Sequence, residues 1–178
     1  PVTVGGGIKT LDDVHRVLRA GADKIAINTA AIDNKKLIKD VAEKIGSQSL
    51  TLSIQAKKRS KNTWEAFKVC GREPSGLDVC DWVRDITKLG AGEIIVTSVD
   101  QDGTELGLDK DLIKTVAENT NLPVIGSGGA RDIDDILSVF QETGVSGIAI
   151  GSILHYGKTE IKLIKQELDK IIKKKSWR

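Results

Sequence analysis

Segments 1–32 and 123–153 are near-copies of each other, PVTVGGGIKTLDDVHRVLRAGADKIAINTAAI and PVIGSGGARDIDDILSVFQETGVSGIAIGSI. Pro1, Gly6, Gly7, Asp12 and Asp13 recur in the same order as Pro123, Gly128, Gly129, Asp134 and Asp135; after one inserted residue, Gly21 and Ile25 recur as Gly144 and Ile148. Each copy reads as a strand, a glycine turn, an amphipathic helix and a second strand ending in a small polar pair, Asn28-Thr29 or Gly151-Ser152. A chain built from such units is constrained to an α/β architecture of parallel strands with crossover helices. Glycine in the turn lets backbone approach an anion closely, and the start of the following helix offers free N–H groups and a positive dipole end. Two such turns point to a ligand with two phosphates.

The length of 178 residues fits a single domain with a proper core. With 27 basic and 25 acidic residues, the charge balance gives no reason to expect a nucleic-acid or membrane partner. The Lys173-Lys174-Lys175 run reads as a solvated helix end that complements the dipole. Cys70 and Cys80 are too few for a disulfide framework and lack a metal-ligand pattern, so a reducing compartment and no metal are expected. A signal peptide and an apolar stretch of spanning length are both missing from the sequence, and a cytoplasmic location is expected.

Apolar, β-branched runs alternate with helical patterns. Strands are predicted at Val2 to Val4, Lys24 to Asn28, Leu50 to Ala56, Glu93 to Ser98, Pro123 to Ser127 and Gly147 to Ile150. Each is expected to be apolar on both faces, with helices on one side and packed side chains on the other. Helices are predicted at about Leu11 to Ala20, Asn34 to Ile45, Leu77 to Leu89, Lys110 to Asn119, Ile133 to Glu142 and Lys158 to Lys174. Asp109 and Asp132 sit where N-caps belong, and Gly21, Gly46, Gly90 and Gly144 sit just past helix ends. This amounts to six βα units of a (βα)8 TIM-barrel type, in one partial barrel domain covering residues 1–178.

The rhythm breaks at about residues 57–76, where Trp64, Phe67 and Val69 precede Gly71-Arg72-Glu73-Pro74-Ser75-Gly76. A small hairpin with a mobile return is predicted there, either ornamental or covering the substrate, because long βα loops lie on the functional face of a barrel.

The segments TVGGGI, GADKIAINTAA, GREPSG, GAGEIIVTS, DQDGT and PVIGSGGA, together with Gly151-Ser152, resemble the cyclase subunit of imidazole glycerol phosphate synthase, a (βα)8 barrel of histidine biosynthesis. The resemblance runs from Pro1 to the last helix. It implies an enzyme of lyase type that takes ammonia from a glutaminase partner and closes an imidazole ring. The products would be imidazole glycerol phosphate and an aminoimidazole carboxamide ribonucleotide. The implied substrate carries two phosphates, in agreement with the repeat, and no cofactor is implied.

By the same resemblance, Gly7, Asn28 and Thr29 form a phosphate site in one half of the barrel, and Asp102, Gly103, Gly129, Gly151 and Ser152 form the other. Thr3, Thr97 and Ser127 match inward polar positions along the ligand. Lys24 and Glu93 match charged residues at the opposite mouth, where ammonia enters; their plain reading is a salt bridge at two strand starts.

Two departures matter. The family's first two βα units, which bring one catalytic aspartate, have no counterpart here. The second catalytic aspartate lies in a pattern that this chain writes as Ser53-Ile54-Gln55-Ala56-Lys57, and Gln55 cannot exchange a proton at neutral pH. The chain itself is therefore expected to be inactive, since losing one positioned acid or base costs roughly 10² to 10⁴ in rate. Asp102 is expected to hold its turn through an Asx-type bond, a general-base role for Asp100 is disfavoured, and His15 and His155 read as surface or rim residues.

Six parallel strands in an open sheet leave two unpaired edges, at the Pro1 strand and the strand near Ile148, which invite association. With no methionine at all, the chain suits a fragment or an engineered segment. The missing units could come from upstream sequence, a partner chain or a swapped copy. Three readings stay open: a cyclase subunit active once completed, a related phosphoribosyl isomerase, and a catalytically silent phosphate-binding fragment or scaffold.

Overall fold

The structure, a computed structural model, describes the backbone of residues 1–175 and the side chains of residues 1–171. The side chains of the Lys173-Lys174-Lys175 run thus lie outside the described residues.

Six strands form one parallel path: β1 (Thr3–Gly5), β2 (Lys24–Ile27), β3 (Leu50–Ser60), β6 (Glu93–Ser98), β7 (Val124–Ser127) and β8 (Gly147–Ala149), in that spatial order. Between β3 and β6, the strands β4 (Thr63–Lys68) and β5 (Glu73–Asp78) extend the sheet antiparallel from β3. Crossovers run through α1 (Leu11–Arg19), α3 (Lys35–Lys44), α4 (Val79–Lys88), α5 (Lys110–Glu118) and α6 (Ile133–Glu142), and α8 (Ile161–Lys175) follows the last strand. The six predicted units are all present. Sequence periodicity missed two short helices, α2 (Thr29–Asp33) and α7 (Ser152–His155), which begin where β2 and β8 end.

Helix starts follow their side chains. In α1, Thr10 and Asp13 form a reciprocal capping box, and in α6 Asp132 accepts from Asp135 N at 2.8 Å. The repeat carries the device over: Asp13 accepts from Lys9 N at 3.0 Å, and its counterpart Asp135 accepts from Arg131 N at 3.2 Å. Asp109 caps α5, as predicted, by accepting from Leu112 N at 3.0 Å. Asp78 caps α4, so that helix starts at Val79, and Leu77 belongs to β5 instead.

Strand register sorts the side chains into two faces, because directly paired residues share a face and neighbours along a strand alternate. Val4, Ile25, Ile27, Leu50, Leu52, Ile54, Ile94, Val96 and Val124 lie on the face toward the helices. All but the half-buried Val4 belong to one core with Val14, Leu37, Ile38, Val41, Trp82, Val83, Ile86, Leu112, Ile113, Val116, Ile136 and Val139. Burial of each such side chain supplies about 1.5–3 kcal/mol. At Gly126 the helix comes so close that a Cβ would stand 2.6 Å from Ile113 Cδ1.

The other face corrects the expectation of strands apolar on both sides. It carries Thr3, Lys24, Thr51, Ser53, Gln55, Glu93, Thr97 and Ser127, with Ile95 and Ile125 as its large apolar members. Composition averaged over each run hid this alternation, which is visible residue by residue along β3 and which register extends across the sheet.

The 57–76 segment also differs from the prediction. β3 runs on to Ser60, beyond the predicted Ala56, and the return is not a mobile loop: β5 pairs with β4 at Phe67–Pro74 and Lys68–Glu73. A register shift between Ala66 and Phe67 absorbs Ser75 and Gly76, with Ser75 Oγ donating to Ala66 O at 2.6 Å and Gly76 N donating to Glu65 Oε1 at 2.8 Å. That N–H, followed by Arg59, holds the Glu65 carboxyl below its usual range.

Candidate functional site

Parallel strands place all their C-terminal ends on one rim, and the residues singled out by the repeat and by the resemblance gather there. Gly7 follows β1, Asn28 and Thr29 follow β2, Asp102 and Gly103 follow β6, Gly129 follows β7, and Gly151 and Ser152 follow β8. Below the rim, on the polar face, Gln55 pairs with Thr97, and Thr97 with Ser127, across three adjacent strands. Thr3 shares this face near the far end of β1, where it pairs with Lys24 rather than approaching the rim.

The half of the rim around β6, β7 and β8 encloses a cavity of about 280 Å³, lined by Asp102, Gly103, Glu105, Ser127, Gly128, Gly129, Ala130, Ala149, Ile150, Gly151 and Ser152. Every residue predicted for this half lines it. Gly129 has φ 91°, and a Cβ there would stand 2.5 Å from Gly107 O and 2.8 Å from Gln101 Cβ. Its own carbonyl accepts from Gly107 N at 2.8 Å, and the loop from Val99 to Asp109 thereby closes down on the turn. Asp135 fixes that loop from below by accepting from Leu108 N at 3.0 Å.

Asp102 does not hold the turn, contrary to expectation. Its carboxylate makes no hydrogen bond among the described residues; Thr104 does the work, donating from Oγ1 to Gln101 O at 2.7 Å and accepting from Leu106 N at 3.2 Å. The Thr104 N–H is itself spent on Gln101 O at 3.0 Å. Asp102 is exposed, while Asp100 accepts from Lys58 N at 2.8 Å and so ties the β3 extension to the loop after β6. His15 and His155 are both exposed.

In the half around β1 and β2, the turn at Gly7 is open: φ is 69° and a Cβ would meet nothing within 4 Å. Here the polar side chains hold the hairpin. Asn28 Nδ2 donates to Phe67 O at 3.0 Å, and Thr29 Oγ1 accepts from Val69 N at 3.0 Å. Lys68 adds an ion pair to Asp33 at 2.8 Å, which raises the pKa of Lys68. The hairpin tip, with Val69 and Cys70 at φ 48° and 55°, reaches over to Val99 beyond β6, where Gly71 packs against its methyl groups. Phe67, buried, lies opposite Gln55 in the register. Sequence reasoning missed this clasp because its partners, Phe67 O and Val69 N, are backbone groups of the predicted hairpin, which carry no side-chain signal.

At the opposite end of the strands, Lys24 Nζ meets Glu93 Oε2 at 2.7 Å across the intervening β3. Thr51, which sequence reasoning passed over, stands between them and donates to Glu93 Oε1 at 2.9 Å. The alternation along β3 that puts Thr51, Ser53 and Gln55 on one face is the signal that could have found it.

Fold and rim together define a (βα)-barrel-type α/β protein, with its candidate site at the C-terminal strand ends. The chain belongs to the histidine biosynthesis protein family, which matches it over residues 1–160. It is 45% identical over 161 residues to the imidazole glycerol phosphate synthase subunit HisF of Streptococcus mutans, covering 90% of this chain and 64% of that protein. The HisF subunit of Clostridium beijerinckii is 47% identical over 169 residues, and that of Dictyoglomus thermophilum 44% identical over 168, each covering 94% of this chain. The chain spans 67% and 66% of the length of these two relatives. Among the described residues no helix is long and apolar enough to cross a membrane, and no cluster of three or more metal-binding side chains occurs.

Proposed function

We propose that this chain is the greater part of a cyclase subunit of the imidazole glycerol phosphate synthase kind, working in the cytoplasm on a substrate with two phosphates. The observation that carries the reading is the cavity after β6, β7 and β8: its lining includes Gly103, Gly128, Gly129 and Gly151 and the residues Ser127 and Ser152, whose backbone N–H groups and hydroxyls are of the kind that receives a phosphate. The second phosphate goes to the Gly7, Asn28 and Thr29 end, where Asn28 and Thr29 act through backbone and through the hairpin they hold. Thr97 and Ser127 line the ligand between the two ends. Lys24 and Glu93, braced by Thr51, form the mouth at which ammonia from a glutaminase partner enters. The names of the relatives, all HisF subunits, favour this over a phosphoribosyl isomerase.

The chain alone binds but does not turn over. Ring closure needs proton transfer, and Gln55 occupies the polar face where the family's aspartate would stand. A single-turnover assay on the whole chain with the phosphorylated substrate and ammonium should show no cyclisation; family-like cyclisation would overturn this. The second reading, a phosphate-binding fragment without catalysis, is favoured by Gln55 itself. It is separated by adding the two missing βα units from a relative: turnover on restoring Gln55→Asp supports the cyclase, and continued silence supports the fragment.

A further inference from the structure

The cavity after β6, β7 and β8 has a charge arrangement that its backbone does not explain. Its lining includes two carboxylates, Asp102 and Glu105, and no lysine or arginine. A carboxylate on the wall of an anion site opposes the anion. Glu105 is also held in left-handed backbone, φ 56°, which a residue with a Cβ seldom adopts. Its side chain is 17% exposed and is engaged from outside the cavity by the ammonium of Lys158, in the stretch between α7 and α8. Lys158 is positioned in turn by its own N–H, which donates to Ile153 O at 2.9 Å. The pair joins the loop after β6 to the segment after α7, and these two pieces of chain flank the Gly129 turn.

We propose that Glu105 and Lys158 together set the anion affinity of this cavity, Glu105 as its negative wall and Lys158 as the counter-charge that cancels it. The inference rests on the anion reading given above and adds the two side chains that tune it. Backbone N–H groups and hydroxyls hold a phosphate without net charge, so formal charges nearby decide how strongly a dianion is drawn in. With both present their fields nearly cancel at the cavity. Removing either leaves one unit charge several ångströms from a dianion, which changes affinity about tenfold in solvent-screened surroundings.

The test is titration of the whole chain with inorganic phosphate at pH 8 and low salt, followed through the amide resonances of Gly103, Gly129 and Gly151. Four proteins are compared: the unmodified chain, Glu105→Gln, Lys158→Gln and the double variant. The proposal expects about tenfold tighter binding for Glu105→Gln, about tenfold weaker binding for Lys158→Gln, and a double variant within about twofold of the unmodified chain. The contrast should shrink in high salt. Weakening in both single variants would show a merely structural latch and overturn the proposal, as would equal affinity in all four. Absence of any shift at these glycines in all four would remove the anion reading and this inference together, and equal affinities would remove the inference alone.

Discussion

Gln55 stands opposite Thr97 of β6 and Phe67 of β4, on the face that also carries Ser53 and Lys57. An amide there donates and accepts hydrogen bonds but moves no proton. Gln55→Asp should therefore leave phosphate affinity nearly unchanged, because the holding groups lie at the rim. In a barrel completed with two further βα units it should raise the cyclisation rate by roughly 10² or more, read from single-turnover kinetics. An equal rate for both proteins would mean that another group carries the proton. Individual side-chain roles were the least legible part of the sequence. Gly129 was legible because the repeat marks it as the counterpart of Gly7, and its turn leaves no room for a side chain; Gly151, where a Cβ would meet nothing within 4 Å, was assigned to the site by the resemblance. Asp102 was misread because an Asx bond is local geometry, and the amide it would have accepted from, Thr104 N, donates to Gln101 O instead. Glu105 gave no signal at all: its partner Lys158 lies far along the chain and is found only once the sheet brings β6 and β8 to either side of β7.

The β4–β5 hairpin is the element whose behaviour the structure most changes. Asn28, Thr29 and Asp33 clasp it from the β2 side, and Glu65 locks its bulge from within. Thr29→Val removes the acceptor of Val69 N and should raise hydrogen exchange at Val69 and Cys70 while leaving β7 and β8 amides protected; unchanged exchange at the tip would contradict the clasp. Glu65 makes the hairpin pH-sensitive. Its folded pKa is lowered by the Gly76 N–H and Arg59, so as pH falls the unfolded chain takes up the proton first. Its stabilisation is complete above the ordinary glutamate range of about 4.3 and is lost as pH falls through the lower folded value. Urea midpoints should show a gap between the unmodified chain and Glu65→Gln at pH 7 that narrows progressively as pH is taken below about 4.3; a constant gap would exclude the carboxylate as the cause. Sequence showed that something interrupts the βα rhythm here, through Trp64, Phe67 and the glycine-proline stretch. It did not show a strand, because Pro74 and Gly76 read as breakers; Pro74 is accommodated in β5, a strand that pairs with β4 alone, and Gly76 beside the register shift.

For the whole molecule, strand order follows chain order along the parallel path, so the fold was legible from the alternation of β-branched runs and amphipathic helices alone. What alternation could not give was the polarity of the inner face, which depends on register. Ile54, fully buried in the middle of the path, anchors the helix side; Ile54→Ala should cost about 2–5 kcal/mol in chemical denaturation. At either end of the path, β1 and β8 each pair with one neighbour only among the described residues. Unpaired parallel edges favour association, so sedimentation over a concentration series should show dimers or larger species rather than a constant monomer. We infer that the C-terminal rim carries two separate anion sites, one in each copy of the repeat. It is tested most directly by titrating the unmodified chain and Gly129→Val with a bisphosphate, following amide shifts at Gly7, Gly129 and Gly151. A valine at 129 drives its Cβ into Gly107 O and Gln101, so the variant should lose the shifts at Gly151 and keep those at Gly7, with native resonance dispersion elsewhere. Shifts at Gly151 that persist in the variant, or a single response lost from both ends at once, would contradict the account.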